Sequence, residues 1–372
     1  MRTQFLAAIG LMTLAPLTMA QTAPQQLAAE TPAFTPAIGK EAVANLADEI
    51  EANFVFPDVA KRYAAMLRSN LAAGAYDAPA DAESLARQVT MDLQDVAADG
   101  HLRMYAPGLP QPQRVGQASA QRAVGPVSPP PPAMEQAGMI APGIAFVRFN
   151  AFMGDPKVVK DFTDFLGANA GAKTLIIDAR THGGGGLTEM DVLFPRIFDK
   201  PQTVMVMDTR ASVAERSGPL PFPSLVKVDA PQELYRSEHR VTPASPASPW
   251  AKTKVYYLTS GRTGSAAEHL ASVFKGTGRG TLVGGTTGGA GHFGGTLGLP
   301  GGFAAFIPFG RSYFPGGESW EQVGVKPDIA VAPERALYEV LVREGIPAAQ
   351  AEALSASHMP KGSMERRKLG RR

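Results

Sequence analysis

The sequence predicts a multi-domain α/β chain in which an N-terminal helical bundle precedes an α/β sheet core. Three observations carry that prediction. Apolar residues recur at the helical period from Lys40 to Val96, whereas from Gly143 short β-rich runs alternate with helical stretches. Between them, residues 106–142 are proline-rich and include SPPPP at 128–132, which suits an extended connector rather than a helix or strand. A chain of 372 residues also exceeds what one compact core usually holds.

Residues 1–20, MRTQFLAAIGLMTLAPLTMA, place Arg2 ahead of an apolar run ending in Thr-Met-Ala, a small-x-small cleavage pattern, and predict a secretory signal peptide. Pro16 and the short run fall below what a membrane span needs, and no later segment approaches that length. A periplasmic or secreted protein with no stable span after cleavage is therefore expected. Residues 21–39, rich in Ala, Pro, Thr and Gln without a period, read as a disordered leader.

The bundle is expected over 40–105. Val43, Leu46, Ala47 and Ile50 share one helix face, Phe-Pro-Asp at 56–58 breaks the pattern, and Val59 to Leu71 resumes it. A third helix, Ala82 to Val96, carries Leu85, Val89 and Leu93 on one face. Short connections join all three, as in a small bundle.

The sheet core is expected over 143–345. GIAFVRF from Gly143 reads as a strand, Asp155 to Leu166 as a helix, TLIIDAR at 174–180 as a buried strand, Glu189 to Ile197 as a helix and TVMVMD at 203–208 as a strand. Such alternation implies right-handed crossovers and a largely parallel sheet. Thr209 to Trp250, proline- and serine-rich with few regular runs, reads as a lid or strap. Val255 to Leu258 then forms a strand, and Ala267, Leu270, Ala271 and Phe274 define a helix face that must begin near Ser265. GFAAFIPFG at 302–310 reads as a strand, Ser312 to Gly317 as a turn and Glu334 to Val342 as a last helix, with 346–372 left as a basic tail.

Charge narrows the partners. With 36 basic and 34 acidic residues the net charge is +2, which creates no large field for nucleic acid or anionic membrane, so a neutral partner is expected. The absence of cysteine removes disulfides, thiolate nucleophiles and Cys-based metal sites. The six histidines show no HExxH or paired spacing, so neither a metal nor another cofactor is expected.

A serine at a strand-to-helix turn points its hydroxyl out of the carboxyl edge of the sheet, beside the unpaired N–H groups of the first helical turn. Ser265 has that place. Ser265 and Glu268 also spell S-x-x-E, a capping box, and as a cap Glu268 should tolerate glutamine with little change in stability. DARTHGGGG, Asp178 to Gly186, sets four glycines straight after a buried strand, where backbone N–H groups can approach a ligand. As a nucleotide loop it lacks both GK[ST] and GxGxxG with a later acid. His101 stands at the bundle's edge in DGHLRMY.

Taken together, AGAYD at 73–77, DGHLR at 99–103, DARTHGGG at 178–185, TGSAAEHL at 263–270, VGGTTGGAGH at 283–292 and WEQVGVKPDI at 320–329 resemble the tail-specific, or C-terminal-processing, serine protease family. The likeness is to the branch near interphotoreceptor retinoid-binding protein and the tricorn core protease, and it covers Lys40 to Leu341. It implies a ClpP/crotonase-like core, a peptide or protein substrate, Ser265 as nucleophile, and the N–H groups of Ala266 and Gly184 as the oxyanion hole. The lysine of the family's Ser/Lys members is Ala290 here, so the resemblance points instead to the tricorn-like pair, His101 as base and Glu321 as orienting acid. The tricorn pattern has a serine where this chain has Gly100. Glu268 matches the acid three residues after the serine in the Ser/Lys branch, where it either orients the site or caps the helix. The alternative in another class is a noncatalytic protein that holds a hydrophobic ligand on the same fold. No segment resembles a PDZ domain.

Overall fold

The computed structural model describes residues 33–108, 131–244, 248–317 and 319–366. The expected signal peptide and most of the expected leader lie outside them. The helices are α1 (Pro36–Asn53), α2 (Pro57–Ala72), α3 (Ala82–Val96), α4 (Pro156–Ala168), α5 (Thr188–Ile197), α6 (Ala211–Ser217), α7 (Ala266–Thr277), α8 (Ala336–Arg343) and α9 (Ala348–Ser357). The strands are β1 (Arg103–Tyr105), β2 (Met134–Ala141), β3 (Ile144–Phe149), β4 (Thr174–Asp178), β5 (Gln202–Arg210), β6 (Leu225–Val228), β7 (Leu234–Val241), β8 (Lys254–Thr259), β9 (Thr281–Gly284), β10 (His292–Gly298), β11 (Ala304–Tyr313) and β12 (Ile329–Ala330). Among the described residues no helix is long and apolar enough to cross a membrane.

Local chemistry fixes the bundle's helix ends. The Thr35 hydroxyl accepts the Ile38 N–H and Pro36 opens α1, four residues earlier than expected. Pro57 opens α2, and the Asp81 carboxylate caps α3 by accepting from Ser84 N–H at 2.7 Å. The three apolar faces share one core, which continues into Leu102, Met104, Ala305 and Ile307. The bundle is therefore seated on β1 and β11.

Two sheets follow. The first is ordered β12-β9-β8-β4-β3-β2 and is parallel except for β2, which pairs antiparallel with β3. Its central strands β3 and β4 are buried on both faces, so they read as continuous apolar runs. Val147, Ile177 and Tyr257 face α4, α5 and α7, while Phe146, Ile176 and Leu258 face α8 and α9. The second sheet, ordered β1-β11-β5-β7-β6 with β10 also on β11, is antiparallel throughout.

Several sequence expectations change here. β2 starts at Met134 inside the expected connector and folds back on β3, while β6 and β7 occupy the expected lid as a hairpin that β7 joins to β5. The expected turn at Ser312 begins as the end of β11, which pairs with β5 as far as Tyr313. α9 stands where only a tail was expected. The chain after α9 is tied down by Arg148 and Arg180, which flank Asp178 and both donate to the His358 carbonyl.

Candidate active site

β8 ends at Thr259 and a short turn leads into α7. The turn is stitched to the end of β4: Ser260 Oγ donates to the Arg180 carbonyl (2.5 Å), Thr263 Oγ1 to the Ala179 carbonyl (2.8 Å) and Gly264 N–H to the His182 carbonyl (3.0 Å). Held this way, Ser265 adopts φ 55° and ψ −121°. A side chain rarely takes that conformation, which costs on the order of 1–3 kcal/mol, and an ordinary N-cap is extended instead. Ser265 and Gln322 are the non-glycine residues with positive φ among those described.

Gly184 explains the four glycines. Its φ is +112°, and a Cβ there would lie 2.6 Å from Ser265 Cβ and 3.1 Å from Ser265 Oγ. Only glycine lets this backbone approach the hydroxyl. Of the two expected oxyanion donors, Ala266 N–H donates to no group among the described residues. The Gly184 N–H is occupied: it donates to His182 Nδ1 at 3.0 Å. Burial pushes His182 down to about 3, so the ring is neutral and that nitrogen can accept.

The two glutamates do related work on one loop. Glu268, fully buried, accepts from Ser265 N–H (2.9 Å), Ala290 N–H (2.8 Å), Gly289 N–H (2.6 Å) and Thr287 Oγ1 (2.6 Å). Burial raises its carboxyl to about 7 against those four hydrogen bonds. Glu321 accepts from Gly100 N–H (2.7 Å), Gly291 N–H (2.6 Å), His292 N–H (2.9 Å) and Gln322 Nε2 (2.9 Å). The loop from Thr287 to His292 is thus fastened to the serine by one carboxylate and to the His101 turn by the other.

His101 sits in a turn whose N–H groups, its own and that of Leu102, donate to Asp99 Oδ1 at 2.8 and 2.9 Å. Its ring stacks on Phe306 with centroids 5.1 Å apart, and its Nδ1 is buried without a hydrogen-bond partner. Burial lowers its pKa below the ordinary histidine value, with Asp99 and Glu321 opposing. Glu321 therefore orients the backbone beside His101 and makes no hydrogen bond to the imidazole. The departure at Gly100 has a steric reason: a Cβ there would meet Gly289 O at 3.1 Å and Ala290 Cβ at 3.2 Å.

Sequence reasoning missed three participants. His182 lies in the glycine-rich motif, Asp99 opens DGHLR and His292 closes VGGTTGGAGH, yet only folding joins the last two: His292 Nδ1 lies 2.7 Å from Asp99 Oδ2 across 193 residues. Ligating atoms of Asp99, His292 and Glu321 lie within 4.8 Å of one another, a set that could suit a metal. Asp99 Oδ2 is instead engaged by the His292 imidazole, and Glu321 Oε2 by the N–H groups of Gly291 and His292, so the carboxylates are already satisfied by proton donors.

Comparison with known proteins now gives the family. A profile described as Peptidase family S41 matches residues 143–331, and one described as the N-terminal domain of Peptidase S41 in eukaryotic IRBP matches residues 27–140. The C-terminal processing peptidase, chloroplastic, of Tetradesmus obliquus is 24% identical over 253 residues, covering 65% of this chain. This chain spans 48% of that relative's length. Among solved structures, the photosystem II D1 C-terminal processing protease superposes with a TM-score of 0.50 at 14% identity, over 86% of this chain and 98% of its own. The tricorn protease gives a TM-score of 0.48 at 14% identity, over 85% of this chain and 37% of its own. With both profiles together spanning residues 27–331 almost without a break, the chain belongs to peptidase family S41.

Proposed function

We propose that this peptidase is an exported serine endopeptidase with Ser265 as its nucleophile, acting in the periplasm or outside the cell on peptide or protein substrates. The observation that carries this reading is the strained Ser265 backbone at the start of α7, packed against Gly184. Ser265 Oγ adds to the scissile carbonyl carbon while its proton passes to the His101 imidazole. The carbonyl π pair becomes an oxyanion, which the Ala266 N–H, and the Gly184 N–H once it leaves His182, stabilise. Collapse of the intermediate expels the amine, which takes the proton from His101. Water then adds to the acyl-serine by the same route, releasing the acid and restoring Ser265. Glu268 and Glu321 hold the backbone that positions these groups. In this reading residues 40–105 form the bundle and 143–345 the catalytic part.

A second reading, a noncatalytic protein holding a hydrophobic ligand, is favoured by two features, the unpartnered His101 Nδ1 and the occupied Gly184 N–H. A fluorophosphonate probe separates the two. The peptidase reading expects an adduct on Ser265, located by mass spectrometry and lost in Ser265→Ala. A chain that stays unlabelled, or a Ser265→Ala variant that still labels, overturns it.

A further inference from the structure

We propose that His292 is a positioning residue for His101, acting through Asp99, whose carboxylate forms the turn that presents the imidazole. This rests on the serine peptidase reading above. Asp99 is 1% exposed, and its carboxylate and N–H are all engaged: Oδ1 holds the N–H groups of His101 and Leu102, its own N–H donates to Gln94 Oε1 at 2.9 Å, and Oδ2 meets His292 Nδ1. Without His292, the second oxygen of a buried carboxylate loses its donor at the base of the His101 turn.

His292 is itself doubly anchored. Its N–H donates to Glu321 Oε2, while Glu321 Oε1 accepts from Gly100 N–H, so ring and backbone reach both carboxylates that flank Gly100 and His101. Phe54 and Phe56, from the corner between α1 and α2, stand edge-on to the ring at 6.3 and 5.5 Å and wall it in place. The ionisable groups facing this cluster are Asp99, Glu321 at 3.9 Å, His101, Arg103 on β1, Arg311 on β11 and the Tyr63 hydroxyl. Burial alone would lower the His292 pKa, but the Asp99 hydrogen bond and the charges of Asp99 and Glu321 outweigh it, so the ring stays protonated above its ordinary range. That positive charge in turn lowers the pKa of His101.

Two variants test the assignment: His292→Phe removes the donor but keeps a ring between Phe54 and Phe56, and His292→Asn places an amide N–H near the Nδ1 position. Thermal melts check that both fold. If His292 positions His101, His292→Phe lowers kcat/KM for peptide hydrolysis about tenfold, the loss expected of one hydrogen bond to a charged group. It also moves the acid limb of the pH profile upward, because His101 loses a neighbouring positive charge, and His292→Asn recovers most of the rate. A purely structural role would move the melt and leave the pH limb in place. The His101 ring is titrated by NMR in parallel, a readout that needs no activity. An unchanged His101 titration and an unchanged rate in His292→Phe overturn the inference, as does a folded His292→Asn that is no better than His292→Phe. A wild-type chain that does not label with fluorophosphonate while His101 still shifts on mutation overturns the peptidase reading instead.

Discussion

Glu268→Gln is the most discriminating substitution in the site, because the sequence alone makes it look mild and the structure makes it severe. Oε2 faces the N–H groups of Ser265 and Ala290, while Oε1 faces the Gly289 N–H and the Thr287 hydroxyl. The Thr287 oxygen also accepts from Val325 N–H at 2.7 Å, and should the hydroxyl turn to accept from a glutamine amide, its own hydrogen loses the carboxylate acceptor. A glutamine offers one acceptor oxygen and one NH2, so in either orientation two buried donors lose their acceptor. At about 1–3 kcal/mol for each unsatisfied buried group, the cost is about 2–6 kcal/mol, reduced by relief from burying a charge. At about 1.3 °C per kcal/mol for a chain of this length, the melting temperature should fall by a few degrees. The serine should also lose its fixed backbone. The assay is a melt followed by circular dichroism together with the fluorophosphonate labelling rate below the transition. A variant that melts within about 1 °C of wild type and labels at the same rate would refute this reasoning and restore the simple cap.

Other outcomes follow from the same geometry. Gly184→Ala places a methyl group against Ser265 at a φ of +112°, and labelling should be abolished with the fold retained; a labelled variant would show that the backbone can retreat. Burial holds the His101 pKa below its ordinary value, so in the proposed mechanism the imidazole can accept a proton at mildly acidic pH and the acid limb of kcat/KM should lie below the unperturbed value of about 6.5. A limb above that value would assign the titration to His292, whose pKa is raised. Asp178→Asn leaves Arg148 and Arg180 buried beside a neutral amide and should cost about 3–5 kcal/mol, with limited proteolysis opening the chain after α9; an unchanged melt would mean that water or another anion replaces the carboxylate.

Much of the fold was legible where burial follows a period. Val43, Leu46, Ala47 and Ile50 on α1, and Ala267, Leu270, Ala271 and Phe274 on α7, are all fully buried as their spacing implies. In the antiparallel sheet β5 and β11 were legible, but β6, β7 and β10 were not. β10 reads HFGGTLG, with little β-forming composition, and exists because β11 pairs along its whole length. α9 is rich in alanine and buries only Ala351 and Ser355, so it has no apolar stripe to read. At the site, Ser265 was visible because strand, turn and helix are local. Apart from the Ser265 N–H, which the S-x-x-E pattern implies, the partners of Glu268 and Glu321 were not, since most of their donors are backbone N–H groups, which every residue but proline has.

The two carboxylates also differ in what the unfolded chain must surrender to form their contacts. Glu268 reaches Gly289 across 21 residues, whereas Glu321 reaches Gly100 across 221. Closing the tenfold longer loop costs about 2 kcal/mol more chain entropy, so the serine half can organise within one crossover while the histidine half waits for both ends of the chain. During refolding, helical circular dichroism should recover before the His101 ring reaches its native titration, and simultaneous recovery would contradict this order. If Ser265 and His101 act as proposed, the early compact states hold a shaped nucleophile with no base beside it, so hydrolysis waits until the chain has closed on itself.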